Sequence, residues 1–308
     1  MDVITGHESA LLSSPVLALG NFDGVHVGHQ RLLQTAVEAA GPDGCPAVLT
    51  FEPHPAAVLA PGREPPLLTT LTRKLELLGE HGARAVIVEP FTLALAAVPP
   101  EEFVDQVLVR SLGVKAVVVG YDFTYGEKRR GTVETLRRAG QRQGFGVHVV
   151  PAVTLDGLAV SSTNVRALLR AGETGEARIL LGRSHDVDGK VVRGAGRGRQ
   201  IGFPTANIKA GGGLLPRPGI YAGALTLLDG GKTYPGALSL GQNPTFTPDA
   251  PLSLEIHLLD FDGDLYGRRV RVHFHDWIRE EARFDSVAAL LEQMARDLAM
   301  ARRMMGVT

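Results

Sequence analysis

Gly20-Asn21-Phe22-Asp23-Gly24-Val25-His26-Val27-Gly28-His29 decides the reading of this 308-residue chain. The apolar run Val16-Leu17-Ala18-Leu19 before it reads as a buried strand. Gln30-Arg31-Leu32-Leu33-Gln34-Thr35-Ala36-Val37 after it reads as a helix with one apolar face. A strand, a glycine turn and a helix start together make a place for phosphate. Gly20 lets backbone come close to a ligand, and the first helical turn offers unpaired N–H groups at its positive end. His26 and His29 sit beside that place. They either donate hydrogen bonds to phosphate oxygens as charge builds there, or cap and pack the helix start. No third ligand at a suitable spacing accompanies them, which disfavours zinc.

Around this stretch, up to about residue 182, short apolar runs alternate with helical patterns. The expected strands are Val16–Leu19, Ala47–Phe51, Ala85–Val88, Ala116–Val119 and Val147–Val150, with helices over Thr70–Gly79, Glu101–Leu112 and Val133–Gln143. Continuous apolar strands suit a parallel sheet covered on both faces, so residues 1–182 read as a Rossmann-like α/β domain. Pro100-Glu101-Glu102 supplies a helix start, with proline at the first turn and acids near the positive end. Beyond Leu180-Leu181-Gly182 the pattern turns to glycine, proline and β-branched residues. Val187–Arg193, Tyr221–Leu228, Leu252–Leu259 and Arg269–Phe274 read as strands of a small antiparallel β-barrel spanning 183–308. It closes with a C-terminal helix, Ser286–Met304, whose Val287, Leu290, Leu291, Met294 and Leu298 fall at helical spacing and are expected to pack on the barrel.

The totals narrow the function classes. A hydrophobic content of 44% and charged content of 21% fit an ordinary globular protein, long enough for two cores. A net charge of -1 gives no electrostatic reason to expect nucleic acid or an anionic membrane as partner. The single cysteine, Cys45, excludes an intrachain disulfide and a cysteine zinc cluster. With no apolar run of membrane-spanning length and no signal-like N-terminus, a cytoplasmic location is expected. Oligomeric state is not written in the pattern.

A second segment, Ser161-Ser162-Thr163-Asn164-Val165-Arg166, opens another helix. Its hydroxyls serve either as caps or, with Arg166 one turn inside, as a grip on a triphosphate tail. Here a resemblance enters. Gly20 to His29 is similar to the His-x-Gly-His signature of the nucleotidylyltransferase superfamily, and Ser161-Ser162-Thr163-x-x-Arg166 to its second phosphate motif. Thr50-Phe51-Glu52-Pro53-His54-Pro55, Leu71 to Leu78 and Val119-Gly120-Tyr121-Asp122-Phe123-Thr124-Tyr125-Gly126 resemble the FMN adenylyltransferase half of prokaryotic FAD synthetase. That resemblance implies that Gly20, Asn21, Phe22, Asp122, Ser162 and Thr163 hold ATP and that His54 lies on the flavin side. It gives His26, His29 and Arg166 the transition state and departing pyrophosphate. Without it, His54 between two prolines is a rigid loop residue.

In the second half, Gly194-Ala195-Gly196-Arg197-Gly198-Arg199 is neither a dinucleotide loop, since no helix follows, nor a Walker A loop. Gly196 and Gly198 belong either to a basic loop over an anionic ligand such as ATP or to an exposed hairpin. In Gly202-Phe203-Pro204-Thr205-Ala206-Asn207 the Thr205 hydroxyl and Asn207 amide face the same way in extended backbone. They are placed to share a magnesium ion (Mg2+) on ATP phosphates, or else belong to a proline turn. Strand alternation sets Glu255 opposite Leu254 and Ile256, as a general base or as solvated surface. Gly202 to Asn207 closely resembles the Gly-Phe-Pro-Thr-Ala-Asn motif of riboflavin kinase. Pro216–Gly223, Gly241–Phe246 and Glu255-x-His257-Leu258-Leu259-Asp260-Phe261 resemble its later segments, with Pro218 departing from the usual acidic residue.

Together the resemblances cover nearly the whole chain in the order of bifunctional prokaryotic FAD synthetase. They imply ATP-dependent phosphorylation of riboflavin to FMN with Glu255 as base, then adenylylation of FMN to FAD. The rivals are an enzyme with one live half and a non-enzymatic flavin or nucleotide sensor. Both halves retain their motif residues, and a sensor has no use for groups whose value lies in the transition state.

Overall fold

The computed structural model describes residues 1–194, 198, 202–241 and 252–307. Two compact units appear: Met1–Pro66 with Thr70–Ser161, and Leu67–Thr69 with Ser162–Thr308.

The first unit runs β1 (Asp2–Thr5), β2 (Pro15–Leu19), α1 (Val27–Ala40), β3 (Cys45–Glu52), α2 (Pro55–Leu59), α3 (Leu71–Glu80), β4 (Ala85–Pro90) and α4 (Leu93–Ala96). A turn, α5 (Pro100–Glu102), leads into a π-helix (Phe103–Ser111). Then come β5 (Ala116–Gly120), the small hairpin β6 (Thr124–Tyr125) and β7 (Gly131–Thr132), α6 (Val133–Gln143), β8 (Gly146–Val150) and a second hairpin, β9 (Thr154–Leu155) and β10 (Leu158–Ala159). The main sheet is parallel throughout, in the order β1-β4-β3-β2-β5-β8. All five residues of β2 are buried, and they alternate between two cores. Leu17 and Leu19 join Phe103, Leu108 and Leu136 on one face; Val16 and Ala18 join Leu32, Leu33, Leu77 and Leu78 on the other. This is the expected sheet with helices on both faces.

From β2 the chain steps to β3 on one side, while β5 flanks β2 on the other. In open α/β sheets such a switch point leaves a crevice at the carboxyl ends of the strands, where ligands bind. The β2–α1 loop and the end of β5 both lie there. Two details differ from the sequence reading. The N-terminal Asp2–Thr5 forms a strand beside β4. The helix expected over Glu101–Leu112 is wound as a π-helix, with Leu112 N–H reaching the Val107 carbonyl five residues back.

In the second unit α7 (Ser162–Ala171) and α8 (Thr174–Leu181) precede a closed barrel in the order β11-β12-β15-β14-β13-β16. Its strands are β11 (His185–Val192), β12 (Ala206–Ala210), β13 (Gly219–Leu227), β14 (Thr233–Gly241), β15 (Ser253–Leu258) and β16 (Arg269–Arg279), all paired antiparallel. Tyr221, Leu225, Leu238, Ile256, Val272 and Phe274 fill it. The C-terminal helix is Val287–Met304, capped by the Ser286 hydroxyl, which accepts from Ala289 N–H at 3.2 Å. Val287, expected on its packed face, is 53% exposed. Among the described residues no helix is long and apolar enough to cross a membrane.

Candidate active sites

His26 is the N-cap of α1: its Nδ1 accepts from the His29 backbone N–H at 3.3 Å. The two imidazoles stack, centroids 3.6 Å apart and 14° from parallel, and the Phe22 ring leans on His29 at 5.0 Å. His26 thus takes the capping role at the helix start through Nδ1. His29 Nδ1 is buried with no hydrogen-bond partner among the described residues. Burial, then His26, then Lys74 hold the His29 pKa well below its ordinary value.

The loop that presents this pair is strained. Phe22, Gly24 and Val25 have φ of 52°, 83° and 41°. The left-handed region is an outlier for a β-branched residue, and such strain collects where a fold holds a functional loop. A Cβ on Gly20 would meet the Phe22 ring at 3.3 Å. Asn21 and Asp122 are exposed at the carboxyl ends of β2 and β5. His54, half-buried beyond β3, caps α2 by accepting from Ala56 N–H at 3.1 Å. Ser162, Thr163 and Arg166 open α7, in the compact unit that carries the barrel; Thr163 is exposed and Arg166 buried.

Lys74, which falls within the Leu71–Leu78 segment, is a buried lysine at the β2–α1 loop that sequence pattern did not single out. It is 7% exposed and donates to the Asn21 carbonyl at 3.3 Å and the Thr50 hydroxyl at 3.2 Å. Its spacing from Leu71 and Leu78 puts it on the inward side of α3, which is the signal that could have found it.

In the barrel, alternation holds: Leu254, Ile256 and Leu258 are buried, with Ser253, Glu255 and His257 between them on the other face. Register sets Glu255 beside Asn207 of β12 and Ser239 of β14. The Thr205 hydroxyl donates to Glu255 Oε2 at 2.8 Å. His257 shares a 2.9 Å hydrogen bond with the Pro204 carbonyl and so ties down the turn that carries Thr205. Gly198 is required by close approach, because a Cβ there would lie 2.3 Å from the Phe203 carbonyl oxygen. Gly194 does the same for Asn207, whose side chain would meet a Cβ at 2.3 Å. Gly196, Gln242 and Asn243 lie outside the described residues.

Beside Glu255 opens a cavity of about 140 Å³, walled by Thr205 and Ser239 on the barrel side and by Leu290, Met294 and Leu298 of the C-terminal helix. The apolar face of that helix thus lines a cavity as well as covering the barrel. A flat apolar molecule with a hydroxyl at one end would find apolar walls here and a base at the mouth. Among the described residues no cluster of three or more His, Cys, Asp or Glu is arranged for a metal. Thr205 and Asn207 bring neutral oxygens, which suit a hard cation when a phosphate supplies the negative charge.

Comparison with known proteins finds relatives for both halves of the chain. Residues 9–164 match the family model for FAD synthetase and residues 181–305 that for riboflavin kinase. A bifunctional riboflavin kinase/FMN adenylyltransferase of Pseudomonas fluorescens is 42% identical, over 93% of this chain and 92% of its own. One of Escherichia coli (strain K12) is 40% identical, over 95% and 93%. A crystal structure from Streptococcus pneumoniae, named as a macrolide-efflux protein, superposes with a TM-score of 0.87 at 30% identity, covering 98% of this chain and 99% of that one. The chain belongs to the bifunctional riboflavin kinase/FMN adenylyltransferase family.

Proposed function

We infer that this chain makes FMN and then FAD. In the barrel, Glu255 takes the proton of the ribityl 5′-hydroxyl of riboflavin as that oxygen bonds to the γ-phosphorus of ATP. The bond to the bridging oxygen breaks, and ADP leaves. The riboflavin ring occupies the apolar cavity beside Glu255. Magnesium, held with the ATP phosphates near Thr205 and Asn207, offsets their charge when bound. Gly196 and Gly198 are assigned to ATP binding.

In the second reaction an oxygen of the FMN phosphate attacks the α-phosphorus of ATP, and pyrophosphate leaves. The attacking phosphate is already ionised near neutral pH, so no base is needed. Gly20, Asn21, Phe22 and Asp122 hold the nucleotide, with Ser162 and Thr163 on its phosphates and His54 toward the flavin. His26, His29 and Arg166 stabilise the charge that builds on the transferring and departing phosphates. The functional halves, 1–182 and 183–308, differ from the compact units by Leu67–Thr69 and by 162–182, which carries Ser162, Thr163 and Arg166 and groups with the barrel. The protein works in the cytoplasm on ATP, riboflavin and FMN.

The observation that carries this reading is the presence in one chain of a stacked imidazole pair at a helix start and a carboxylate held by Thr205 against a cavity. Incubating the protein with riboflavin, ATP and magnesium and separating the flavins tests it. FMN and FAD are both expected; accumulation of FMN alone, or no product, overturns it.

A further inference from the structure

α3 carries Lys74 to the base of the β2–α1 loop and buries it there. A buried ammonium is tolerated only with partners, and these are specific. Its Nζ donates to the Asn21 carbonyl and to the Thr50 hydroxyl oxygen, while the Thr50 hydroxyl donates to the same Asn21 carbonyl at 3.0 Å. The three groups close a triangle on the second residue after β2, immediately before the chain enters its left-handed course at Phe22 and Val25. A course of that kind persists where its surroundings over-determine it, and the triangle is such a constraint.

Charge adds a second role. Burial lowers the Lys74 pKa, and Glu52 at the end of β3 and Asp23 of the loop act the other way, favouring the charged form. On the other side its charge reaches His29, as does that of His26 from the start of α1. Two of the three N–H bonds of Lys74 are spent on the triangle.

We propose that Lys74 is a positioning residue for adenylylation: it pins the Asn21 carbonyl so that the β2–α1 loop keeps its course, and it adds positive charge to the set of groups around the His26–His29 pair. This rests on the reading of that loop as the nucleotidyl-transfer site. The geometry joins three elements, α3, β3 and the loop, through one side chain, so removing it affects placement and field together.

The test uses Lys74→Met, Lys74→Arg and Thr50→Val in the full chain. For each, the kcat and the KM for ATP of FMN-to-FAD conversion are measured, with the kinase rate of the same preparation as control. His29 is titrated by NMR in protein carrying 13C-labelled histidine. Lys74→Met is expected to lower kcat on the order of 10- to 100-fold, the scale of a misplaced reacting geometry. The KM is expected to change less, the kinase rate to stay within about twofold, and the His29 pKa to rise as a neighbouring cation is lost. Lys74→Arg keeps the charge and is expected to recover part of the rate with His29 titrating as in the parent. Thr50→Val breaks the triangle but keeps the charge, so the rate falls while the His29 titration stays in place.

A kcat for Lys74→Met within about twofold of the parent overturns the proposal. So does an unmoved His29 titration with no recovery by arginine, which marks a prop and nothing more. Should Lys74→Met fail to fold, a Thr50→Val enzyme with the parent rate overturns it equally. If the parent itself forms no FAD, the activity reading fails separately, and the titration still reports whether the charge reaches His29.

Discussion

Glu255 accepts the Thr205 hydroxyl on one oxygen, and that contact fixes the carboxylate at the cavity mouth. Glu255→Gln keeps its shape and removes its basicity, so FMN formation is expected to fall about 10²–10⁴-fold. FMN-to-FAD conversion in the same protein is expected to stay near the parent rate, both rates being read by separating the flavins. His29 makes a different prediction. Its folded-state pKa lies well below the ordinary 6.5, chiefly through burial. The unfolded chain therefore binds the proton more readily, and stability falls as pH drops through roughly 6.5 toward the folded value. Urea unfolding at pH 7.5 and 5.5 is expected to show this loss, and His29→Gln to reduce it. An unchanged pH dependence in that variant contradicts the assignment.

Among the elements, the C-terminal helix is held to β16 by a clamp. Arg279 Nε and Nη2 donate to Asp297 at 2.9 and 2.6 Å, and within the helix Gln293 Nε2 orients the same carboxylate at 2.8 Å. Asp297 is 5% exposed, so Asp297→Ala leaves the Arg279 guanidinium with only the Glu280 carbonyl and is expected to cost about 2 kcal/mol by urea unfolding. Because the same helix lines the cavity, a higher KM for riboflavin is expected alongside. The strand–loop–helix unit at Gly20 was legible because its signals are local: an apolar run, glycines, then a helical face. β14 was not, since Tyr234-Pro235-Gly236 reads as a turn. In the barrel Gly236 fits because the His257 carbonyl lies where its Cβ would be, 2.4 Å away, a contact set by a distant strand. β12 is short and polar at alternate positions, and it too is defined by its neighbours. The left-handed φ of Phe22 and Val25 had no sequence mark either, because glycine is the residue that announces such backbone. Lys74 was overlooked for a related reason: a lysine on a helix is by default a solvent residue.

At the scale of the molecule, two chemistries in one chain can be separated by mixing. Neither Glu255→Gln nor His29→Ala alone is expected to carry riboflavin efficiently to FAD. An equal mixture is expected to do so, since FMN released by one protein is substrate for the other. If the mixture stalls while each variant keeps its remaining activity, free FMN is not the intermediate. The two architectures also differ in what they leave open to other chains. The parallel sheet ends in β1 and β8, each with one side of its backbone unpaired in that sheet. Closure gives every barrel strand two neighbours and so removes the hydrogen-bonding edge that strand addition needs. Among the described residues, assembly or aggregation by sheet extension is thereby left to strand edges outside the barrel, those of the parallel sheet and of the two small hairpins.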